Sequence, residues 1–334
     1  MIEVENLVKR YGSHMAVDHL SFQVEQGKIY GFLGPNGAGK STTMNIMTGY
    51  IAPTEGTVKI NGYDIVKEAE EAKKCIGYLP EIPPLYQDMT VKEYLHFAAQ
   101  LKKRIPKKEQ EIQIKEVMEL TGITDMADRL IKNLSKGYKQ RVGLAQAVLG
   151  YPDVIILDEP TVGLDPKQII EIRDLIKQLG EKHTVILSSH ILSEVQAVCD
   201  EIMIISKGKL AACDTPEGLT ALMNGSASIE VHIQGKRSDI EPIIQTLTEV
   251  KSYRFEASPE KACEKVILET EAKEDIRKAL FYTLAENKLP IMSMNRLEKS
   301  LEDIFLELTG DSVFQTEKEE QQTAEGGSEN DSNL

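Results

Sequence analysis

The sequence lacks paired cysteines, long apolar runs and an excess of positive charge. Only 4 of its 334 residues are cysteine, and they form no C-x-x-C pair and no disulfide-framework spacing. We therefore expect reduced, mostly buried thiols in a cytosolic protein, with neither a disulfide scaffold nor a cysteine metal site. Nowhere do about 18 apolar residues follow one another, so no helix is expected to span a bilayer.

Basic residues are outnumbered by acidic ones. There are 39 Lys and Arg against 53 Asp and Glu, which gives a formal net charge of −14. Because phosphate backbones attract positively charged surfaces, this balance predicts no nucleic-acid partner. The start, Met1-Ile2-Glu3-Val4, has no basic segment followed by an apolar one, so no signal peptide is expected.

A glycine-rich loop stands between a predicted strand, 28–33, and a predicted helix, 39–48. Its sequence is G-x-x-x-x-G-K-S, in which glycines let backbone N–H groups converge on an anion at a helix N-terminus. Lys40 would reach the β- and γ-phosphates, and the Ser41 hydroxyl would bind Mg²⁺. The sequence thus predicts a nucleotide site, and the alternative, a glycine-rich turn without a ligand, is disfavoured by this context. The predicted binding residues here are Gly34, Pro35, Asn36, Gly37, Ala38, Gly39, Lys40, Ser41 and Thr42.

A second motif, which is acidic, completes the prediction of a nucleoside triphosphatase. Four apolar residues, 154–157, form a predicted buried strand that ends in Asp158 and Glu159. Asp158 would hold Mg²⁺, and Glu159 would act as the base that polarises the attacking water.

The pattern along the chain predicts an α/β fold. The short apolar runs 154–157, 184–187 and 202–205 alternate with helices, which is typical of a parallel sheet buried on both faces. A helical insert at about 85–145 begins with the capping-box sequence Thr90-Val91-Lys92-Glu93. We assign residues 1–225 to a nucleotide-binding domain with a mixed sheet core and a helical subdomain.

The remainder is predicted to contain a small domain and a tail. Residues 226–310 read strand, helix, strand, strand, helix, strand, which is a ferredoxin-like α+β order. No recognisable catalytic grouping occurs there, so we expect a structural or regulatory accessory domain. Residues 311–334, rich in Glu, Gln, Ser and Gly, are predicted to form a disordered acidic tail.

A third motif, Leu134-Ser135-Lys136-Gly137-Tyr138, lies between the phosphate loop and Asp158. At this point the chain resembles the ATP-binding-cassette (ABC) ATPases, whose signature is Leu-Ser-Gly-Gly-Gln. Ser135 and Gly137 stand at the family's positions, whereas Lys136 and Tyr138 depart from it. The resemblance implies that Ser135 and Gly137 bind the γ-phosphate of an ATP molecule held by the opposite subunit.

Four more residues match positions of this family. The resemblance implies that Tyr11 stacks on adenine, that Asp165 belongs to a loop crossing the dimer interface, and that His190 is a switch histidine touching the γ-phosphate. Glu81 stands where the family has a glutamine beside the Mg²⁺ ion, and it is carried over as a site residue.

The resemblance also implies a function. It indicates an ATP-hydrolysing subunit of an exporter, similar to the gliding-motility type, with ATP and Mg²⁺ as cofactors. The partners implied are a second copy, or a related ATPase, and a separate polytopic membrane subunit. This chain would then lie peripherally at the cytoplasmic face of the membrane. The alternatives are a soluble ABC ATPase acting in repair, chromosome structure or translation, and a regulatory module that only binds ATP.

Overall fold

The computed structural model describes residues 1–102, 105–223, 226–258, 262–271, 276–297 and 301–309. The predicted tail, 311–334, lies outside the described residues. Contacts between Cα atoms divide the chain into two compact units, Met1–Pro216 with the described residues from Phe305 onwards, and Glu217–Ile304. The division falls before residue 225, the end assigned to the first domain from the sequence, because most of the helix at 216–223 groups with the second unit.

Among the described residues, the first unit contains ten strands, seven complete α-helices and two short 3-10 helices, Thr124–Met126 and Ile131–Asn133. The strands are β1 (Ile2–Tyr11), β2 (His14–Val24), β3 (Ile29–Leu33), β4 (Glu55–Ile60), β5 (Tyr63–Asp64), β6 (Ile76–Leu79), β7 (Val154–Asp158), β8 (Thr184–Ser189), β9 (Glu201–Ser206) and β10 (Lys209–Asp214). The helices are α1 (Lys40–Met47), α2 (Ala69–Lys74), α3 (Val91–Leu101), α4 (Lys107–Leu120), α5 (Lys136–Val148), α6 (Pro166–Gly180) and α7 (Leu192–Val198).

The central sheet has six strands in the order β10-β9-β3-β8-β7-β6. Strands β6, β7, β8, β3 and β9 run parallel, as the short apolar runs predict. Every residue of β3, β7 and β8 is buried. Strand β10 pairs antiparallel with β9 at the edge, so the sheet is mixed.

A second, antiparallel sheet has the order β2-β1-β4-β5. The sequence pattern predicted shorter strands, at 2–7 and 20–24. The ladder between β1 and β2 contains register shifts, and Asn6 and His19 have positive φ angles of 47° and 51°. These irregularities break the alternation of apolar and polar residues, which is why the pattern gave shorter strands. Phe22 of this sheet packs edge-on against Phe32 of β3, with the ring centroids 5.2 Å apart.

The insert predicted at about 85–145 is helical and contains α3, α4 and most of α5. Its first helix begins with the predicted capping box. Thr90 Oγ1 accepts a hydrogen bond from Glu93 N at 3.2 Å, and Thr90 N donates to Glu93 Oε2 at 2.8 Å. These contacts satisfy backbone donors that have no partner inside the helix.

The parallel register places three chain segments at one edge of the central sheet. Leu33 of β3 is paired with Ser189 of β8, and Ser188 of β8 is paired with Asp158 of β7. The segments that follow these strands therefore begin side by side. In open α/β sheets the carboxyl ends of the strands are where ligands bind.

The second unit contains a four-stranded antiparallel sheet in the order β12-β13-β11-β14. Its core includes Ile229 and Val231 of the sheet and Leu280 and Leu284 of a helix. The elements from residue 216 onwards are α8 (Pro216–Met223), β11 (Ser226–Gln234), α9 (Arg237–Ile244), β12 (Val250–Glu256), β13 (Cys263–Glu271), α10 (Arg277–Glu286), β14 (Ile291–Leu297) and α11 (Leu301–Thr309). Among all helices that the structure describes, none has both the length and the hydropathy that a membrane crossing requires.

Candidate active site

The phosphate loop connects β3 to α1, and two of its backbone carbonyls accept hydrogen bonds from Lys40. The Lys40 side chain is 6% exposed, and its Nζ donates to Gly34 O at 2.6 Å and to Pro35 O at 3.2 Å. Burial lowers the pKa of Lys40, while the charge of Glu159 acts in the opposite direction. Gly39 precedes α1 with φ 105°, and a Cβ on it would lie 2.5 Å from Ala16 O. Only glycine fits this position without moving the backbone.

Two side chains with oxygen atoms that could bind a metal, Ser41 and Asp158, are in contact beside this loop. Ser41 Oγ, in the first turn of α1, donates to Asp158 Oδ1 at 3.3 Å. Ser188 Oγ also donates to Asp158 Oδ1, at 2.5 Å, which fixes the carboxylate at the end of β7. Mg²⁺ prefers oxygen ligands and binds proteins through one or two such groups together with phosphates. Ser41 and Asp158 therefore fit the Mg²⁺ role predicted for them.

Glu159 leaves β7 in a left-handed backbone conformation. Its φ is 48°, which is uncommon for a residue other than glycine and marks a conformation that its surroundings must maintain. Its N–H donates to Ser188 Oγ at 3.0 Å, and its Oε1 lies 3.9 Å from Lys40 Nζ. Burial raises the pKa of Glu159, although His190 and Lys40 act in the opposite direction. A raised pKa suits a carboxylate that must accept a proton.

His190 follows β8 and faces this carboxylate. Its Nδ1 lies 3.0 Å from Glu159 Oε2, and 39% of its side chain is exposed. When Nδ1 carries the proton, the ring donates to Glu159 and fixes the direction of the carboxylate. The structure thus brings the predicted base and the predicted switch histidine into direct contact.

These groups surround a cavity of about 380 Å³. The predicted residues that line it are Tyr11, Asn36, Gly37, Ala38, Gly39, Lys40, Ser41, Thr42, Glu81, Glu159 and His190. Tyr11 is 50% exposed at this cavity, with Lys9 Nζ 5.3 Å from the centroid of its ring. His14, Ala16 and Val162 also line it and were not predicted.

The residues predicted to lie at the dimer interface are outside this cavity. Ser135 caps the N-terminus of α5, where its Oγ accepts from Tyr138 N at 3.4 Å. Gly137 and Asp165 line a separate cavity of about 250 Å³, which shares no residue with the first. The structure therefore does not bring Ser135, Gly137 or Asp165 to the phosphate loop of their own chain.

The N-termini of α5 and α6 form the surface around the signature. Asp165 caps α6, accepting from Gln168 N at 2.9 Å. The Gln168 side chain lies so close to Gly137 that a Cβ on this glycine would be 2.4 Å from Gln168 Oε1. The Lys136 side chain covers Gly163 in the same way, with its Nζ 2.0 Å from an ideal Cβ there. Residues of the signature and of the loop before α6 are therefore in direct contact.

Sequence reasoning missed three polar residues that support the site. Ser188 contacts both Asp158 and the backbone of Glu159. Thr161 and Glu194 form a buried hydrogen bond behind them. The one signal in the sequence was the polar pair 188–189 at the end of an apolar run, directly before His190.

Comparison with known proteins places the chain in a family. The family model described as ABC transporter matches residues 17–162. The Bacillus subtilis ABC transporter ATP-binding protein YhcH is 36% identical over 93% of this chain and 96% of its own length. The linearmycin resistance ATP-binding protein LnrL of the same species is 34% identical over 93% of this chain and 98% of its own length.

A solved structure shares the fold of the first unit. A dimeric ATP-binding cassette in a post-hydrolysis state, bound to ADP and Pi, has a TM-score of 0.59 and 26% identity. The similarity covers 64% of this chain and 98% of that one. With a phosphate loop, an Asp-Glu pair and a histidine gathered at one cavity, and with relatives that match over nearly the full length, the chain belongs to the ATP-binding subunits of ABC transporters and is an ATPase.

Proposed function

We propose that this ATPase drives an exporter, and that two copies close head to tail around two ATP molecules. Each ATP would lie between the phosphate loop of one copy and Ser135 and Gly137 of the other. A related ATPase could take the place of the second copy. The name of another relative, the Nod factor export ATP-binding protein I of Ralstonia nicotianae, which is 32% identical over 93% of this chain, supports export. Similarity to transporter subunits over nearly the full length disfavours a repair, chromosome or translation factor.

One observation carries the proposal. The cavity of about 380 Å³ holds Lys40, Ser41, Glu159 and His190 but lacks Ser135. Ser135 lies at the N-terminus of α5, where the helix dipole and backbone N–H groups favour an anion. A single chain thus offers two incomplete phosphate sites, and a second copy completes both.

Each side chain at the cavity has a separate role in ATP binding or hydrolysis. Lys40 neutralises charge on the β- and γ-phosphates, and Tyr11 stacks on the adenine ring. Ser41 and Asp158 would hold Mg²⁺, which neutralises charge that develops on the phosphates. Glu159 accepts a proton from the attacking water while His190 directs its carboxylate, and Glu81 contacts the nucleotide site from the segment after β6.

We further propose a peripheral position at the cytoplasmic face of the membrane, against a separate polytopic subunit. The segment after β6 supports this contact, since Ile82 is 81% and Tyr86 is 54% exposed. Both lie near Glu81, so movement at the nucleotide would reach the membrane subunit through this segment. The strand order β12-β13-β11-β14, with one helix after β11 and one after β13, supports a ferredoxin-like accessory domain with a structural or regulatory role.

A charge at the helix cap tests the proposal. In Ser135→Asp, the new side chain still caps α5, because Asp and Ser are comparable N-caps. Its carboxylate would face the triphosphate of the partner subunit and repel it. We expect normal ATP binding to the isolated chain and a loss of ATPase activity of at least about 100-fold, the lower range for a group that stabilises transition-state charge.

The matched control is Ser135→Asn, which caps the helix equally well without a charge. It should retain most of the activity that Ser135→Asp loses. If Ser135→Asp hydrolyses ATP at the normal rate, the signature does not face a phosphate and the head-to-tail arrangement is wrong.

A further inference from the structure

A buried carboxylate lies behind the base and the histidine. Glu194 is in the first turn of α7, and 5% of it is exposed. Its Oε2 accepts a hydrogen bond from Thr161 Oγ1 at 2.5 Å and another from Ser189 Oγ at 3.0 Å. The two hydroxyls belong to different segments, because Thr161 follows β7 and Ser189 ends β8.

Each hydroxyl lies within two positions of a predicted active-site residue. Thr161 lies two positions after Glu159, and Ser189 directly precedes His190. Ser189 Oγ also accepts from the N–H of Ile191 at 3.0 Å, which fixes the chain on the far side of His190. One carboxylate oxygen therefore joins the segment that carries the base to the segment that carries the histidine.

The free energy of folding gives little reason for a carboxylate at this position. Within the part of the chain that the structure describes, Glu194 has hydrogen bonds from two hydroxyls and no ion pair with a lysine, arginine or histidine. A buried carboxylate without a cation is costly, and an apolar side chain of similar volume often stabilises a core as well or better. What an apolar side chain cannot do is fix two hydroxyls with respect to each other.

We infer that Glu194 is a positioning residue for ATP hydrolysis, which keeps the carboxylate of Glu159 and the ring of His190 in hydrogen-bonding contact. This inference rests on the roles proposed above for those two residues. Glu159 has a left-handed φ of 48°, a conformation that persists only when neighbouring contacts maintain it. The contact between His190 Nδ1 and Glu159 Oε2, 3.0 Å, is the geometry that Glu194 protects.

The test compares variants that remove either end of the two hydrogen bonds. For Glu194→Ala, Thr161→Val and Ser189→Ala we expect kcat to fall about 10- to 100-fold, the effect of displacing a catalytic group by about 1 Å. The Kd for ATP, measured with a fluorescent analogue, and the KM should stay within about twofold, because ground-state phosphate contacts are unchanged. Glu194→Gln, whose amide oxygen can accept from both hydroxyls, should restore most of kcat.

The matched control is Thr184→Val, which makes the same change in a buried threonine at the other end of β8. Thr184 is 1% exposed, and its Oγ1 accepts from Gly27 N at 3.0 Å. This variant should keep kcat although it removes a buried hydrogen bond. Adding Thr161→Val to Glu194→Ala should cost nothing further, because both changes cut the same bond.

Glu159→Gln is measured in the same assay, because it tests the proposed base separately from the positioning role of Glu194. If Glu159→Gln is inactive while Glu194→Ala and Thr161→Val keep normal kcat, the positioning role is wrong and the proposed function stands. If Glu159→Gln hydrolyses ATP normally, the proposed base is wrong and the inference fails with it. If Glu194→Ala does not fold, Thr161→Val and Ser189→Ala decide the question: normal kcat in both overturns the inference.

Discussion

Glu159→Gln is expected to abolish most ATP turnover while leaving nucleotide binding intact. The amide keeps the volume of the side chain and can still contact His190, but it cannot accept a proton from water. General-base catalysis contributes about 100- to 10,000-fold, so kcat should fall by at least the lower figure. Because the ATP that joins two copies would no longer be cleaved, an ATP-bound dimer should accumulate in size-exclusion chromatography with light scattering.

Glu181→Gln is the control, since Glu181 is exposed at the end of α6. It should turn over ATP normally and show no stable dimer. A Glu159→Gln variant that hydrolyses ATP at the normal rate would show that another group is the base. Loss of turnover without any dimer at saturating ATP would leave Glu159 as the base but contradict closure of two copies around the nucleotide.

Lys40→Ala should weaken nucleotide binding itself. The buried ammonium of Lys40 is 3.9 Å from Glu159 and is held by two carbonyls of its own loop, so it is aimed into the phosphate site. A charge-assisted hydrogen bond is worth about 1.5–3 kcal/mol, which corresponds to a Kd for ATP that is about 10- to 150-fold higher. Titration with a fluorescent ATP analogue measures this change.

Lys177→Ala provides the comparison, because Lys177 is an exposed lysine of α6. It removes the same charge from the chain without touching the phosphate loop, and its Kd should match that of the wild type. If Lys40→Ala binds ATP with unchanged affinity, Lys40 is not a phosphate contact and the cavity described above is not the nucleotide site.

The centre of the site could be predicted from the sequence because its chemistry lies in short contiguous motifs. The phosphate loop with Lys40 and Ser41 requires a fixed spacing, and Asp158 and Glu159 follow an apolar strand whose direction places them beside that loop. His190 stands at the end of a second apolar strand. The parallel register between β3, β7 and β8 then brings all three segments to one edge of the sheet.

The supporting hydrogen bonds could not be predicted. Thr161 and Glu194 are 33 positions apart along the chain, and neither belongs to a recognisable spacing. Ser188 contacts Asp158 across 30 positions. Isolated hydroxyls carry no periodic signal, so only the fold reveals that Thr161 and Ser189 share one carboxylate.

Two parts of the fold were also difficult to predict from pattern alone. Strands β1 and β2 continue past the predicted ends, because residues with positive φ interrupt their alternation. Strand β10 alternates between exposed and partly exposed residues, and it lacks the apolar run that marked its neighbours. An edge strand is covered less by other elements, so its sequence is constrained less.

Mixing two impaired variants tests the central claim most directly, at an ATP concentration close to the wild-type Kd, where a Lys40→Ala chain leaves its own phosphate loop largely empty. In a head-to-tail dimer, a Lys40→Ala chain and a Ser135→Asp chain together form one site with both defects and one site with neither. ATPase activity should therefore reappear on mixing, to about a quarter of the wild-type rate if the copies pair at random in a two-fold symmetric dimer with independent sites. A chain that carries both substitutions, mixed with either single variant, should restore nothing. If the two single variants stay inactive together at every ratio, the triphosphate is not bound between two copies and the account is wrong.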